Sequence, residues 1–419
     1  MEAGALAGLR VLELTAGMAG PWIGRYMAWC GAEVIKVESR EHPDVTRLYV
    51  PPRTPELGVQ SQLSPWFTDW NAGKRFVSLD LTRPKAIAIC KKLVAHCDVV
   101  VENYSSGVLD KLGLGYAALR EARADVVMLS STGFGASGPN RGYVTWGPNI
   151  EAISGSSTLS GFPQRECTIT QYAYPDASSA LHGLLAVLCA LDHRSRTGEG
   201  QHIDLSQYEA TVATFGAPML EALAGGFNPA RLGNRSAHAA PQGCYRCEGQ
   251  DRWCVVSVGD DGQWRRLCDV IERPELATDA RFASAAERHA NHDEADAAIE
   301  SWTMQRSSHD AMRALQSAGV AAAAVQSVDD QLRADPQLAA RGFFEEIDHE
   351  KKGRVTAVGV PLGLTGTPGR TRGTGRAIGA DNDYVFSTLL AMSEREIAAC
   401  VADGAIETGG ASATGETSS

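Results

Sequence analysis

Residues 9–38 read LRVLELTAGMAGPWIGRYMAWCGAEVIKVE. The opening LRVLELT alternates and carries β-branched residues, which suits a strand. Gly17, Gly20 and Pro21 break it and open the apolar run WIGRYMAWCGA, read as a helix that ends at Gly31. EVIKVE then reads as a second strand. Two strands joined through a helix form a βαβ unit, and such units imply a parallel sheet. The pattern recurs in FVSLDL (76–81), DVVVEN (98–103) and DVVMLSSTGFG (125–135). A helix opened by Thr82 and Pro84 separates the first two of these. GEGQHIDLS (198–206) adds a turn and a short strand. The fold class is α/β, with a doubly wound, Rossmann-like large domain.

Residues 225–324 differ in character. RWCVVSVG reads as a strand, DGQWRRLCDVI as a helix, and RFASAAERHANHDEADAAIESWTMQ as a charged helical stretch. The expected division is a large domain from 1–205 and 325–402, a linker at 206–224 and a smaller α+β domain at 225–324. A Gly/Ser/Thr-rich mobile tail is expected at 403–419.

Composition narrows the function. The chain has 419 residues, 44% hydrophobic and 21% charged, with 39 basic and 50 acidic side chains and a net charge of -11. Such a surface does not attract nucleic acid or an anionic membrane. The longest apolar run, 177–191, is shorter than the about 20 residues that span a bilayer. No basic segment followed by an apolar one marks a signal peptide. These features lead us to expect a soluble, cytoplasmic protein. The 10 Cys are scattered through apolar runs, as reduced thiols would be. Cys244 and Cys247 make the only CxxC, and no second pair completes a metal site, so no metal is expected.

Strand, Gly-rich turn, helix and strand, followed by Glu38, also match the order of a dinucleotide site. The glycines do not fit it. Gly17, Gly20 and Gly24 lack the close GxG pair, which argues against an NAD-dependent dehydrogenase. Bases tell another story. Lys36 and Arg40, Lys74 and Arg75, and Lys111 follow or open strands of one sheet, where together they would form a phosphate pocket; the alternative is solvated surface.

The stretch QYAYPDASSALHG (171–183) holds one carboxylate, Asp176, with Pro175 before it and no Asp, Glu, Lys or Arg after it until Asp192. An Asp at a helix start is ordinarily an N-cap, worth about 1 kcal/mol.

Taken together, GLRVLELTAGMAGPWIGRYMAWCGAEVIKVE, NAGKRFVSLDL, VENYSSGVLDKLG, SSTGFGASGP, YPDASSALHGLLAVLCALDHRSRTGEGQHIDLSQYEA and GVAAAAVQSVDD resemble the family III CoA-transferases. That family includes formyl-CoA transferase, carnitine CoA-transferase and α-methylacyl-CoA racemase. The resemblance implies a homodimer of two interlocked rings. It implies a catalytic role for Asp176, with a CoA thioester as substrate and no tightly bound cofactor. It implies CoA contacts at Met18, Ala19, Arg40, Lys74, Arg75, Asn103, Tyr104 and Lys111.

Departures bear on substrate. The racemase branch carries a His after its glycine loop; here NRGYVTWGPNIEAISG has none, so a general base for proton transfer at Cα is missing. The glycine run of formyl-CoA transferase is replaced by RLGNRSAHAAPQGCYRC, and that enzyme's polar first-turn residues by Ala16 and Met18. Oxalate and formate fit poorly. Trp146, Phe134 and Met18 suit a larger hydrophobic or aryl-bearing acid. The WGP form resembles the branch that includes benzylsuccinate CoA-transferase, which uses succinyl-CoA as donor. Arg141 or Arg235 is placed to hold a second carboxylate. Some relatives work as two related subunits, so a heteromer is the alternative assembly.

Overall fold

The computed structural model describes residues 4–49, 64–170, 172–226, 230–349 and 353–408. The chain divides into two compact units. Unit 1 comprises residues 1–155, 169–220 and 339–419, and unit 2 comprises residues 156–168 and 221–338.

Unit 1 is built on six strands: β1 (Arg10–Leu14), β2 (Glu33–Glu38), β3 (Arg75–Ser78), β4 (Val99–Glu102), β5 (Val127–Thr132) and β6 (His202–Ser206). Their order is β3-β2-β1-β4-β5-β6 and every pairing is parallel. This is the doubly wound order, with its switch point between β1 and β4. Strands β1–β5 are buried along nearly their whole length, as covered faces require, whereas edge strand β6 alternates and exposes His202 and Asp204. Val11, Val34, Val99, Val101, Val127 and Leu129 pack toward helix α1 (Ala19–Trp29) and the helix Tyr174–Thr197. Leu12, Leu14, Ile35, Val37 and Val100 belong to a second core with the helix Pro84–Val94.

Edge strand β3 is satisfied from the far end of the chain. Phe76 N donates to Asp381 and Ser78 N to Asn382. The segment expected as a mobile tail begins as structure: Ala405 and Ile406 are buried, and Asp80 N donates to Ala405 O at 3.1 Å. Burying Ala405 and Ile406 outweighs the local Gly/Ser/Thr bias. Residues 409–419 lie outside the described residues. The expected linker is also structured. Residues 207–212 and 216–225 are helical.

The helix Tyr174–Thr197 buries one stripe: Ala180, Gly183, Val187 and Ala190. Leu181, Leu185 and Leu188 of the same charge-free run are exposed in the monomer. Its start also differs from expectation. Ala173 is the N-cap, without a side-chain bond, so Asp176 is the third helical residue rather than the cap.

Unit 2 has its own antiparallel sheet, β7 (Gln242–Arg246), β8 (Trp253–Ser257) and β9 (Ala321–Ala324). Its core includes Trp264, Phe282, Leu267, Ile299 and Leu315.

Candidate active site

In a doubly wound sheet the crevice outside the carboxyl ends of the strands, at the switch point, is the ligand site. Here a cavity of about 510 Å³ occupies that position. Its floor comes from Ala16–Met18 after β1, Asn103–Ser106 after β4 and Ser131–Gly133 at the end of β5. One wall carries Tyr143, Trp146, Gly147, Glu151, Tyr172 and Asp176; another carries Tyr49, Trp66 and Trp70.

The backbone amides of Ala19 and of Asp176 itself favour the ionised Asp176 carboxylate. Ala19 is the first residue of α1, and Asp176 lies in the first turn of its own helix. Two helix N-termini therefore meet at one carboxylate, each with partial positive charge and free N–H groups. Burial outweighs them. Desolvation, with a smaller push from Glu151, raises the Asp176 pKa to about 6.

Gly147 supplies the room. A Cβ there would stand 2.7 Å from Asp176 Oδ2 and 3.1 Å from the Ala173 methyl. Only hydrogen at this position leaves the carboxylate its present setting. We predict that Gly147→Ala lowers the turnover number by roughly 100-fold, as a displaced reacting group does. Far-ultraviolet circular dichroism should remain native. An unchanged turnover number would mean that Asp176 is not the reacting group.

The floor is held from beneath. Asn103 Oδ1 accepts from Ala16 N at 2.9 Å, and its Nδ2 donates to Ala16 O at 2.8 Å. Asp44 Oδ1 accepts from Gly17 N at 3.1 Å. Asp44 also pairs with Lys36 at 3.0 Å, while Glu13 pairs with Lys36 at 3.3 Å and with Lys74 at 2.8 Å. These side chains are fully buried. Burial works against the Lys36 charge, but Asp44, Glu13 and Glu38 outweigh it and hold its pKa above the usual lysine value. Burial dominates at Lys74, whose pKa falls to about 8 despite Glu13. Glu151 is a second buried carboxylate on the wall. It accepts from Thr170 N at 2.8 Å and from the Thr170 hydroxyl, which fixes the strand of chain leading to Tyr172.

The sequence-predicted residues sort into several places. Asp176, Met18, Asn103, Tyr104 and Trp146 meet at the cavity, and Arg141 lines it too. Ala19 contributes its amide. Phe134 does not line the cavity; it packs on Tyr143 and Tyr208. The phosphate cluster is not assembled. Lys74 Nζ is consumed by Glu13, Pro21 O and Asn71 Oδ1, because the buried Glu13 needs a cation. Arg75 sits at the opposite, amino end of β3. It pairs with Glu33 and Asp381 and lies over the Tyr384 ring. Arg40 and Lys111 are exposed and lie outside the cavity lining. Arg40 follows β2 and donates to Thr408 O. Arg235 belongs to unit 2, where Asp293 and Asp296 hold it.

Sequence reading missed Gly147, Glu151, Tyr49, Trp66 and Trp70. Gly147 stands inside the quoted WGP, and Glu151 is the single charge of the helical run GPNIEAI. Tyr49 and Trp66 gave no periodic signal at all.

Among the described residues, no group of three or more His, Cys, Asp or Glu is placed to hold a metal. Burial raises the pKa of Cys244 and Cys247, away from the reactive thiolate. No helix among the described residues is long and apolar enough to cross a membrane.

Fold and site together define a Rossmann-type α/β protein with a crevice lined by aromatic side chains and by the carboxyl groups of Asp176 and Glu151. The chain belongs to CoA-transferase family III, whose model matches residues 6–382. It is 32% identical to the succinate–glutarate CoA-transferase of Agrobacterium fabrum, over 92% of this chain and 95% of that protein. It is also 32% identical to the succinyl-CoA–D-citramalate CoA-transferase of Chloroflexus aurantiacus, over 93% and 95%. A CaiB/BaiF family protein from Brucella suis has a similar solved structure, with TM-score 0.83 and 32% identity, covering 93% of this chain and 100% of that one. The protein is a CoA-transferase, and CoA thioesters are its substrates.

Proposed function

We propose that the enzyme moves CoA from an acyl-CoA donor, succinyl-CoA foremost, to a larger aryl- or alkyl-substituted carboxylic or dicarboxylic acid such as benzylsuccinate. Asp176 is the nucleophile. Its carboxylate attacks the thioester carbonyl, forming a mixed anhydride and releasing CoA thiolate. The thiolate attacks the aspartyl carbonyl of that anhydride, giving an aspartyl-CoA thioester and the free donor acid. The acceptor carboxylate attacks this thioester, forming a second anhydride and again releasing the thiolate. The thiolate takes the acceptor acyl group, and Asp176 is regenerated.

The observation that carries this reading is the setting of Asp176. Its carboxylate faces the cavity at two helix N-termini, with no Cβ on Gly147 to cover Oδ2. Such amides also favour an oxyanion developing beside the carboxylate. The walls of Trp66, Trp70, Tyr143, Trp146 and Tyr172 suit an aryl or alkyl group. Met18, Asn103 and Tyr104 line the path of the CoA arm, with Arg40 and Lys111 beyond it for the phosphates. The dicarboxylates named for two relatives support a succinyl donor.

The nucleophile must be ionised. We therefore predict that kcat/KM for the donor falls tenfold per pH unit below about pH 6, following the raised Asp176 pKa. A profile flat down to pH 4.5 would contradict the assignment.

The test of the substrate reading is an exchange screen. Succinyl-CoA is offered with benzylsuccinate, methylsuccinate, oxalate and formate, and new thioesters are read by mass spectrometry. Benzylsuccinyl-CoA formation with little oxalyl- or formyl-CoA is expected. Deuterium washing into Cα of a 2-methylacyl-CoA without any acceptor would instead mark a racemase. The assembly proposed is a dimer of interlocked chains, supported by the exposed Leu181, Leu185 and Leu188 stripe. Light scattering of the purified chain separates a dimer from a subunit awaiting a different partner.

A further inference from the structure

We propose that Arg141 reads the second carboxylate of the acyl group, so that the enzyme selects dicarboxylates over their monocarboxylate homologues. This inference rests on the reading of Asp176 as the nucleophile. One carboxyl group of each acid is engaged there, as thioester or as attacking carboxylate, and the other end of the acid extends along the cavity.

Arg141 is the sole Arg or Lys among the described lining residues. It is exposed to the cavity mouth, and no ion pair or hydrogen bond holds it among the described residues. Other arginines of unit 1 are committed: Arg25 to Asp69 at 2.9 Å, Arg47 to Glu38 at 2.7 Å and Arg75 to Glu33 at 2.7 Å. It stands six residues before Gly147 in the chain, both residues line the cavity, and a Cβ on Gly147 would meet Asp176 Oδ2 at 2.7 Å. Chain geometry limits that separation to roughly 20 Å.

Charge makes the cation necessary. The protein carries a net charge of -11, and the cavity wall holds the carboxyl groups of both Asp176 and Glu151. A dianionic acid entering this field is repelled unless one local cation offsets it. A guanidinium does so with directional selectivity, because its planar fork matches a carboxylate bidentately. Tyr143 and Trp146 line the same cavity as Arg141.

The experiment compares wild type, Arg141→Leu and Arg141→Lys in steady-state CoA exchange. Acceptor pairs are glutarate against pentanoate and methylsuccinate against 2-methylbutyrate, with succinyl-CoA as the donor. The readout is the ratio of kcat/KM for each dicarboxylate to that of its partner. Arg141→Leu should lower this ratio roughly 10- to 100-fold, the range for losing a hydrogen bond to a charged group. Lysine should restore part of it, since it keeps charge without the fork. An unchanged ratio, or an equal loss for both members of a pair, overturns the proposal. The ratio does not depend on any covalent intermediate. A wild-type enzyme with no CoA adduct on Asp176 but an Arg141-dependent ratio would therefore sink the nucleophile and keep the arginine.

Discussion

Asp176→Asn is expected to abolish CoA transfer, by roughly 10⁴-fold or more, while acyl-CoA still binds. The size follows from the role. A nucleophile that becomes covalently attached has no substitute, and the carboxamide is not nucleophilic enough to replace it. Binding survives because Asp176 is one wall residue among many that line the cavity. The affinity of acyl-CoA, measured calorimetrically, should change by only a few-fold. The same variant carries a stability signature. Burial raises the Asp176 pKa to about 6, so the folded protein holds this proton more tightly than the unfolded chain does. That contribution is complete below the unfolded pKa near 4 and is lost as pH rises through about 6. At pH 8 the wild type therefore carries a desolvated charge that asparagine lacks. Asp176→Asn should melt at a higher temperature than wild type at pH 8, and the gap should close toward pH 4. Losing activity together with stability at pH 8 would point to a structural carboxylate instead.

Glu13→Gln should lower the unfolding midpoint in urea by the equivalent of about 3–5 kcal/mol, the cost of leaving a buried charge unpaired. Glu13 lies on β1 with no exposed surface and meets both Lys36 and Lys74. Without it, Lys36 keeps Asp44 at 3.0 Å and the attraction of Glu38, whereas Lys74 keeps only a weaker, longer-range attraction to Asp44. α1 is shaped around the cluster, since a Cβ on Gly24 would stand 1.9 Å from Glu13 Oε2. The damage should reach the site through Asp44, which holds Gly17 N in the cavity floor. The double variant Glu13→Gln/Lys74→Met should recover much of the loss, because it removes the cation along with its partner. Equal midpoints for Glu13→Gln and wild type would show that the cluster contributes nothing to the fold.

The sheet was legible because β1–β5 are almost wholly buried and written as short runs rich in Val, Ile and Leu, whereas β6 showed as an alternating HIDLS after a Gly-rich turn. All six runs appear as strands, within a few residues of their expected bounds. The charges inside those runs misled. Lys36 and Lys74 look like surface bases in one dimension, but each points inward to a carboxylate brought from another strand or loop. Pairing of that kind depends on long-range contacts that periodicity does not encode. Asp176 stood out because its neighbourhood lacks other charges. Its partners did not, because Ala19 and Gly147 act through an amide and through a missing methyl group. The aromatic lining was half visible: Trp146 lies in a recognisable motif, whereas Trp66 comes from the short helix Pro65–Trp70 and Tyr49 from the end of the 3-10 helix Val45–Leu48, both in the connection between β2 and β3. The helix at 216–225 was read as linker, since its Gly-rich apolar sequence carries weak helical patterning.

Covalent attachment at Asp176 is the central claim, and intact-protein mass spectrometry tests it most directly. Wild type mixed with succinyl-CoA and no acceptor should gain the mass of CoA less one water. Hydroxylamine should remove that gain, and peptide mapping should place it on the segment containing Asp176. Asp176→Asn should show none. A wild-type enzyme that turns over acceptor acids with no trappable adduct, or an adduct that persists in Asp176→Asn, would contradict the account.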